Sequence, residues 1–174
     1  MKQRDVNESA FRLGFVYTPQ IVDAQGRVTF EGPPVNNVIP QVGVDHLVSL
    51  LRGTGSLISS WYVGVYEGNY VPTSATTAAD IPTNAQESQA YSQASRPLWN
   101  NTYDGVSVIT NRDNRAEFAF TADKRVYGAF LGSVATKGSG SGLVLSMARF
   151  ASPYDIPAGS TFRLGVSIAL VPSV

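Results

Sequence analysis

The chain is 174 residues long, a length for one domain, and its thirteen basic and thirteen acidic residues cancel to a net charge of zero. With no basic excess or basic stripe, nucleic acid is disfavoured as a main partner, because phosphate binding requires one. The absence of cysteine excludes disulfide scaffolds, cysteine nucleophiles and thiolate metal sites, and no apolar run approaches the roughly 18 residues of a membrane span.

Phe11, Leu13, Phe15 and Tyr17 alternate with Arg12, Gly14 and Val16, which predicts a first strand ending at Pro19. Asp23 to Gly26 has turn composition, and Arg27 to Glu31 reads as a short second strand with Val28 and Phe30 inward. Gly32-Pro33-Pro34 then interrupts regular pairing, since proline lacks the backbone donor and restricts the residue before it. Residues 1–40 are therefore expected to form an N-terminal arm or hairpin, reaching to a neighbour or lying on the same core, with 41–174 as the main domain. After Pro40 the period changes. Val44, Leu47, Val48 and Leu51 fall at i, i+3, i+4 and i+7, the apolar face of a short helix near 44–52 that Gly53 stops.

Leu57 to Glu67 returns to period two, with Trp61, Val63 and Val65 on one face and Tyr62, Gly64 and Tyr66 on the other. Substantial side chains on both faces predict a central or covered strand. Residues 68–86 form a long connection containing Pro72, Pro82 and the run Thr73 to Ala79, and Glu87 to Ala94 reads as a weak polar strand ended by Arg96-Pro97. From residue 105 the pattern is densely β: Val106 to Thr110, Ala116 to Thr121, Arg125 to Val134 and Leu143 to Phe150, separated by turn residues. The closing stretch 161–170 is the clearest, with Phe162, Leu164, Val166, Ile168 and Leu170 on one face and small or polar residues on the other. One apolar face per strand indicates an antiparallel sheet covered on one side by another. The expected fold is all-β with one short helix: an antiparallel β-sandwich of jelly-roll type, with an N-terminal arm or hairpin.

Catalytic chemistry finds little support. The single histidine, His46, sits beside the helical stripe and reads as structural or solvated. Gly53 to Ser56 follows a helix, where a phosphate loop would open one, and Gly138 to Gly142 lies between strands without Gly-x-Ser-x-Gly spacing. Asn111, Asp113 and Asn114 cluster in one turn, which reads as turn chemistry ahead of a calcium loop. Glu67, Asp104 and Glu117 are conceivable carboxylates for glycoside chemistry, yet no spacing selects them. No catalytic, cofactor-binding or metal-ligating residue is therefore assigned. Trp61, Tyr62, Tyr66, Tyr70, Trp99 and Tyr103 could line a sugar- or protein-binding surface, but their alternation favours packing. Asn-x-Ser/Thr at Asn7 and Asn100 reads as chance beside the polar N-terminus, which has no apolar signal core.

The run Asn37-Val-Ile-Pro40-Gln-x-Gly43, then Leu47 to Leu51, then Trp61-Tyr-Val-Gly64-x-Tyr-x-Gly68-Asn-Tyr-x-Pro72 resembles small structural proteins of tailed bacteriophages. So do Glu87-x-x-x-Tyr91 with Arg96-Pro97, Phe118-x-Phe120 with Val126-Tyr-Gly128-Ala-Phe130, and Phe150 with Pro157-Ala-Gly159-x-x-Phe-x-Leu. The resemblance spans roughly residues 36–171. It implies a virion protein, made in the host cytoplasm, of the decoration or cement type. Such a protein sits on the outer surface of the capsid, with the major capsid protein and its own copies, as dimer or trimer, for partners. The alternative from another class is a receptor- or carbohydrate-binding module of a tail fibre. A polysaccharide-cleaving enzyme is more remote.

Overall fold

The structure, a computed structural model, describes residues 14–170. In chain order its elements are β1 (Phe15–Val22), β2 (Val28–Glu31), β3 (Val35–Asn36), α1 (Gln41–Leu51), β4 (Tyr62–Tyr66), the one-turn α2 (Asp80–Thr83), β5 (Thr102–Tyr103), β6 (Val108–Thr110), a 3-10 turn (Arg112–Asn114), β7 (Ala116–Ala119), β8 (Lys124–Gly132), β9 (Val144–Ile156) and β10 (Thr161–Ala169). Every pairing is antiparallel. One sheet runs β2-β1-β10-β6-β5, with β3 also on β1 and β7 also on β10; the other runs β4-β8-β9. The fold is all-β, as the alternation indicates. Sheets of seven and three strands establish the antiparallel all-β class and not the finer jelly-roll connectivity.

The closing strand sits at the centre of the larger sheet. β10 pairs with β1 along its full length on one side and with β7 and β6 on the other. Phe162, Leu164, Val166 and Ile168 are buried, as their alternation predicts, and they meet Leu131, Leu145 and Phe150 of the facing sheet in one apolar core. Leu170 was expected on the same face, but it lies past the end of β10 and is exposed.

β1 corrects two expectations. It continues through Pro19 to Val22, and Pro19 is opposite Leu164 of β10. In a strand the N and C=O of one residue point to the same side, and Pro19 O accepts from Gly32 N–H at 2.9 Å. The missing donor therefore faces Gly32-Pro33-Pro34, where the partner strand is interrupted anyway. Residues 15–36 are thus strands of the sandwich, with Phe15, Tyr17 and Ile21 in its core, and no arm or domain boundary at residue 40 separates them from it. The part of the expected arm before residue 14, including Phe11 and Leu13 of the expected first strand, lies outside the described residues.

Both open sides of the sandwich are bridged. On one side Val35 pairs with Tyr17 of β1, and three residues later Val38 exchanges backbone hydrogen bonds with Met147 of β9 at 2.9 and 3.0 Å. A buried polar cluster reinforces this seam: Tyr17 O–H and Asn37 Nδ2 both donate to Ser146 Oγ at 2.8 Å, and Phe15 N–H donates to Asn37 Oδ1. On the other side residues 87–99, of which Glu87 to Ala94 reads from sequence as a weak strand, run back along β4 through isolated bridges and backbone bonds such as Val63 N–H to Pro97 O at 2.8 Å. The same segment reaches β7 through the Tyr91–Phe120 bridge. The edges of β4 and β9 in the small sheet are thereby paired from within the chain.

The glycine and aromatic spacing around residues 61–68 and 126–130 has a packing cause. Gly64 is opposite Phe130, and Tyr66 is opposite Gly128, in the β4–β8 register. A Cβ on Gly64 would overlap the Phe130 ring, and one on Gly128 would overlap Tyr66. Each ring therefore lies over its cross-strand glycine. Phe130, Tyr66 and Met147 form a second apolar cluster on the outer face of the small sheet, capped by Ala78, Ile81 and Ala85 from the long connection. That connection, not the longer helix, is the main cover of this face.

α1 packs differently from its expected stripe. Gly43 is its buried residue, where a Cβ would stand 2.8 Å from Leu145 O, and Leu47 leans on the core. Val44, Val48 and Leu51 point outward, at 37%, 44% and 89% exposure.

Candidate functional site

The residues considered for chemistry do not converge. His46 is half-buried and meets the Trp61 ring edge-on at 5.7 Å. Glu67 pairs with Lys124 at 2.9 Å, and Glu117 with Arg163 at 2.7 Å. Asp104 closes the β5–β6 hairpin: its Oδ1 accepts the N–H groups of Val108, Val106 and Ser107 at 2.9, 2.8 and 2.8 Å, which hold its carboxyl below the ordinary range. These three carboxylates serve three different elements. Among the described residues no cluster of three or more His, Asp or Glu is placed to hold a metal ion.

The Asn111–Asn114 turn is divided by burial. Asn111 is buried and occupies the gap between β6 and β7 along β10: its Nδ2 donates to Leu164 O at 3.3 Å and its Oδ1 accepts Val166 N–H at 2.6 Å. The amide replaces a missing stretch of strand and has no oxygen left over for a cation. Asp113 and Asn114 point to solvent. The aromatic group is likewise structural. Trp99 is buried and donates Nε1–H to Val166 O at 3.0 Å, Tyr66 O–H donates to Ala148 O at 2.9 Å, and Tyr103 alone of the six is strongly exposed.

The most elaborate polar constellation in the molecule joins two residues of the quoted motifs, Glu87 and Arg96, whose pairing no spacing in the sequence announces. Glu87 and Arg96, nine residues apart, form a bidentate pair with both N···O distances 2.7 Å and both side chains 1% exposed. Arg96 also donates to Val134 O and Ser139 O, and Gly138 N–H donates to Glu87 Oε2 at 2.7 Å. The guanidinium lies 5.0 Å from the Phe130 ring centre. Beside it Lys137 Nζ donates to Tyr91 O at 2.9 Å and stands 4.0 Å over the Tyr91 ring. Fully satisfied and enclosed, this pair clasps the 87–99 segment to the β8–β9 connection. It positions loops and offers no open face for a substrate.

Two surface features remain. One is apolar: beside the outward stripe of α1, Leu57 after the helix is 81% exposed, and at the β5–β6 hairpin Tyr103 and Val106 are 61% and 74% exposed. The other is a polar groove of about 630 Å³ on the outer face of the larger sheet. Its floor is the cross-strand row Gln20, Arg163 and Glu117 of β1, β10 and β7. The 3-10 turn forms one wall and Pro97, Leu98 and Asn100 the other.

No family model matches the chain, and no curated protein is significantly similar to it.

Proposed function

We propose that the chain is a non-enzymatic virion protein of the phage decoration or cement type, which binds the outside of the major capsid shell as a homo-oligomer and stabilises neighbouring capsomers. The observation that carries this reading is the set of large apolar side chains left in solvent on a surface poor in charge. Val44, Val48, Leu51 and Leu57 around α1, and Tyr103 and Val106 on the β5–β6 hairpin, belong to separate elements. Exposed apolar groups of this size mark contact surfaces, and two such regions suit a protein that bridges subunits. The resemblance to phage structural proteins supplies the context. Weak single contacts then gain strength by effective concentration on a repeating lattice.

Co-sedimentation tests the proposal. The full chain should pellet with assembled shells and stay in the supernatant with isolated capsid subunits, with modest dependence on salt. Val48→Asp combined with Leu51→Asp should abolish pelleting while leaving the melting temperature unchanged. Pelleting that survives these charges would remove α1 from the contact, and no pelleting of the unaltered chain would remove the shell reading.

A further inference from the structure

We infer that the groove on the outer face of the larger sheet is a preformed binding site for a neutral saccharide, independent of the apolar surfaces assigned to the shell. Five planar polar side chains converge there without serving the fold: Gln20, Asn100, Arg112, Asp113 and Asn114. All are exposed or half-exposed, and among the described residues none of their side chains has a hydrogen bond or ion pair. The polar groups that do carry structure there are already occupied. Arg115 pairs with Glu31 at 3.2 Å and Gln93 Oε1 accepts Ala119 N–H, while Arg163 lies 2.7 Å from Glu117 as an ion pair whose Nε–H makes no hydrogen bond.

Both walls are fixed by buried polar anchors. Asn111 holds the 3-10 turn to β10, and the Glu87–Arg96 clasp with the Trp99 indole holds residues 96–99. The backbone of both walls is therefore fixed in advance, and binding has only to order the exposed side chains that line it. The volume of about 630 Å³ falls within the range of small-molecule sites.

Charge and geometry select the ligand class. Arg112, Arg115 and Arg163 are offset by Asp113, Glu117 and Glu31 around the groove and its rim. An anion drawn to these arginines meets an equal number of carboxylates around the groove and its rim. A hydroxyl, which donates and accepts at once, can use amide, guanidinium and carboxylate groups together. Pro97 and Leu98, the latter 48% exposed, supply an apolar wall for the C–H face of a pyranose ring.

The test is a glycan array carrying neutral, sialylated and sulfated oligosaccharides, probed with the full chain, followed by calorimetric titration of the best neutral glycan. Neutral glycans should bind, and Arg112→Ala, Asp113→Ala and Asn100→Ala should each weaken binding at least tenfold with unchanged melting temperature. Val48→Asp should leave binding intact, which separates this site from the shell contact. Binding confined to sialylated or sulfated glycans, binding indifferent to the three groove variants, or no binding at millimolar glycan would each overturn the assignment.

Discussion

Glu87 and Arg96 illustrate how a single buried pair can order a large part of a β-protein. Each charge is removed from water, a cost of several kcal/mol per ion that only a complete set of partners offsets. Here Glu87 receives three N–H donors and Arg96 spends four of its five N–H groups, two on Glu87 and two on the Val134 and Ser139 carbonyls, so every polar atom of the pair has a partner. Removing one partner should therefore be far worse than removing both. Glu87→Gln is expected to cost about 3–5 kcal/mol, whereas Glu87→Leu with Arg96→Met should cost much less, because no buried charge is left over. Urea melts of the two variants check this; equal losses would mean that the pair is not desolvated.

At the scale of elements, register and turn chemistry make separate predictions. Leu164 and Ile168 face the core from β10, while Ser167 faces out between Val16 and Thr110. Leu164→Ala should cost about 2–5 kcal/mol, as buried large-to-small changes do, and Ser167→Ala should be nearly silent. Equal shifts in urea midpoint would overturn the register. Turns depend on carboxylates: Asp104 accepts three backbone donors in the β5–β6 hairpin, and Asp80, at the start of α2, accepts Thr77 N–H at 2.8 Å and Asn84 Nδ2 at 2.6 Å. Both carboxyls are held below their ordinary value of 3.8. A folded pKa below the unfolded one means that these contributions are fully present above about pH 4 and disappear as pH falls through the depressed folded values. Melting temperature should thus drop below pH 4, and Asp104→Asn should flatten that drop.

The whole molecule is closed by pairings that are remote in sequence. β1 and β10, which define the middle of the larger sheet, come from the two ends of the described chain, and the Val38–Met147 and Tyr91–Phe120 bridges join the sheets at either side. A chain starting at residue 37 would lack β1, β2 and β3 and expose one edge of β10 together with part of the core. It should show no cooperative thermal transition, which differential scanning calorimetry would read directly; a sharp transition would mean that 37–174 folds alone.

Local pattern determined the strand faces. Period-two alternation identified the buried residues of β10 and of β7, and turn residues separated the strands of the second half, because those signals act within a few neighbours. The absence of cysteine excluded disulfide scaffolds, cysteine nucleophiles and thiolate metal sites in the same way. Long-range partnership was beyond the reach of pattern. Pro19 reads as a strand end until the partner it faces is known to be interrupted, and the α1 stripe reads as inward until Gly43 proves to be the point of closest approach to β9. Glu87 and Arg96 stand in the quoted motifs, yet nothing in their spacing says that they pair, and Asn111 looks like an ordinary turn residue until β6 and β7 are seen to leave a gap along β10. The groove is likewise a product of the tertiary structure. Gln20, Asn100 and Arg112 are scattered over more than ninety residues, and only the pairing of β1 and β7 on either side of β10 brings their planar groups to one face.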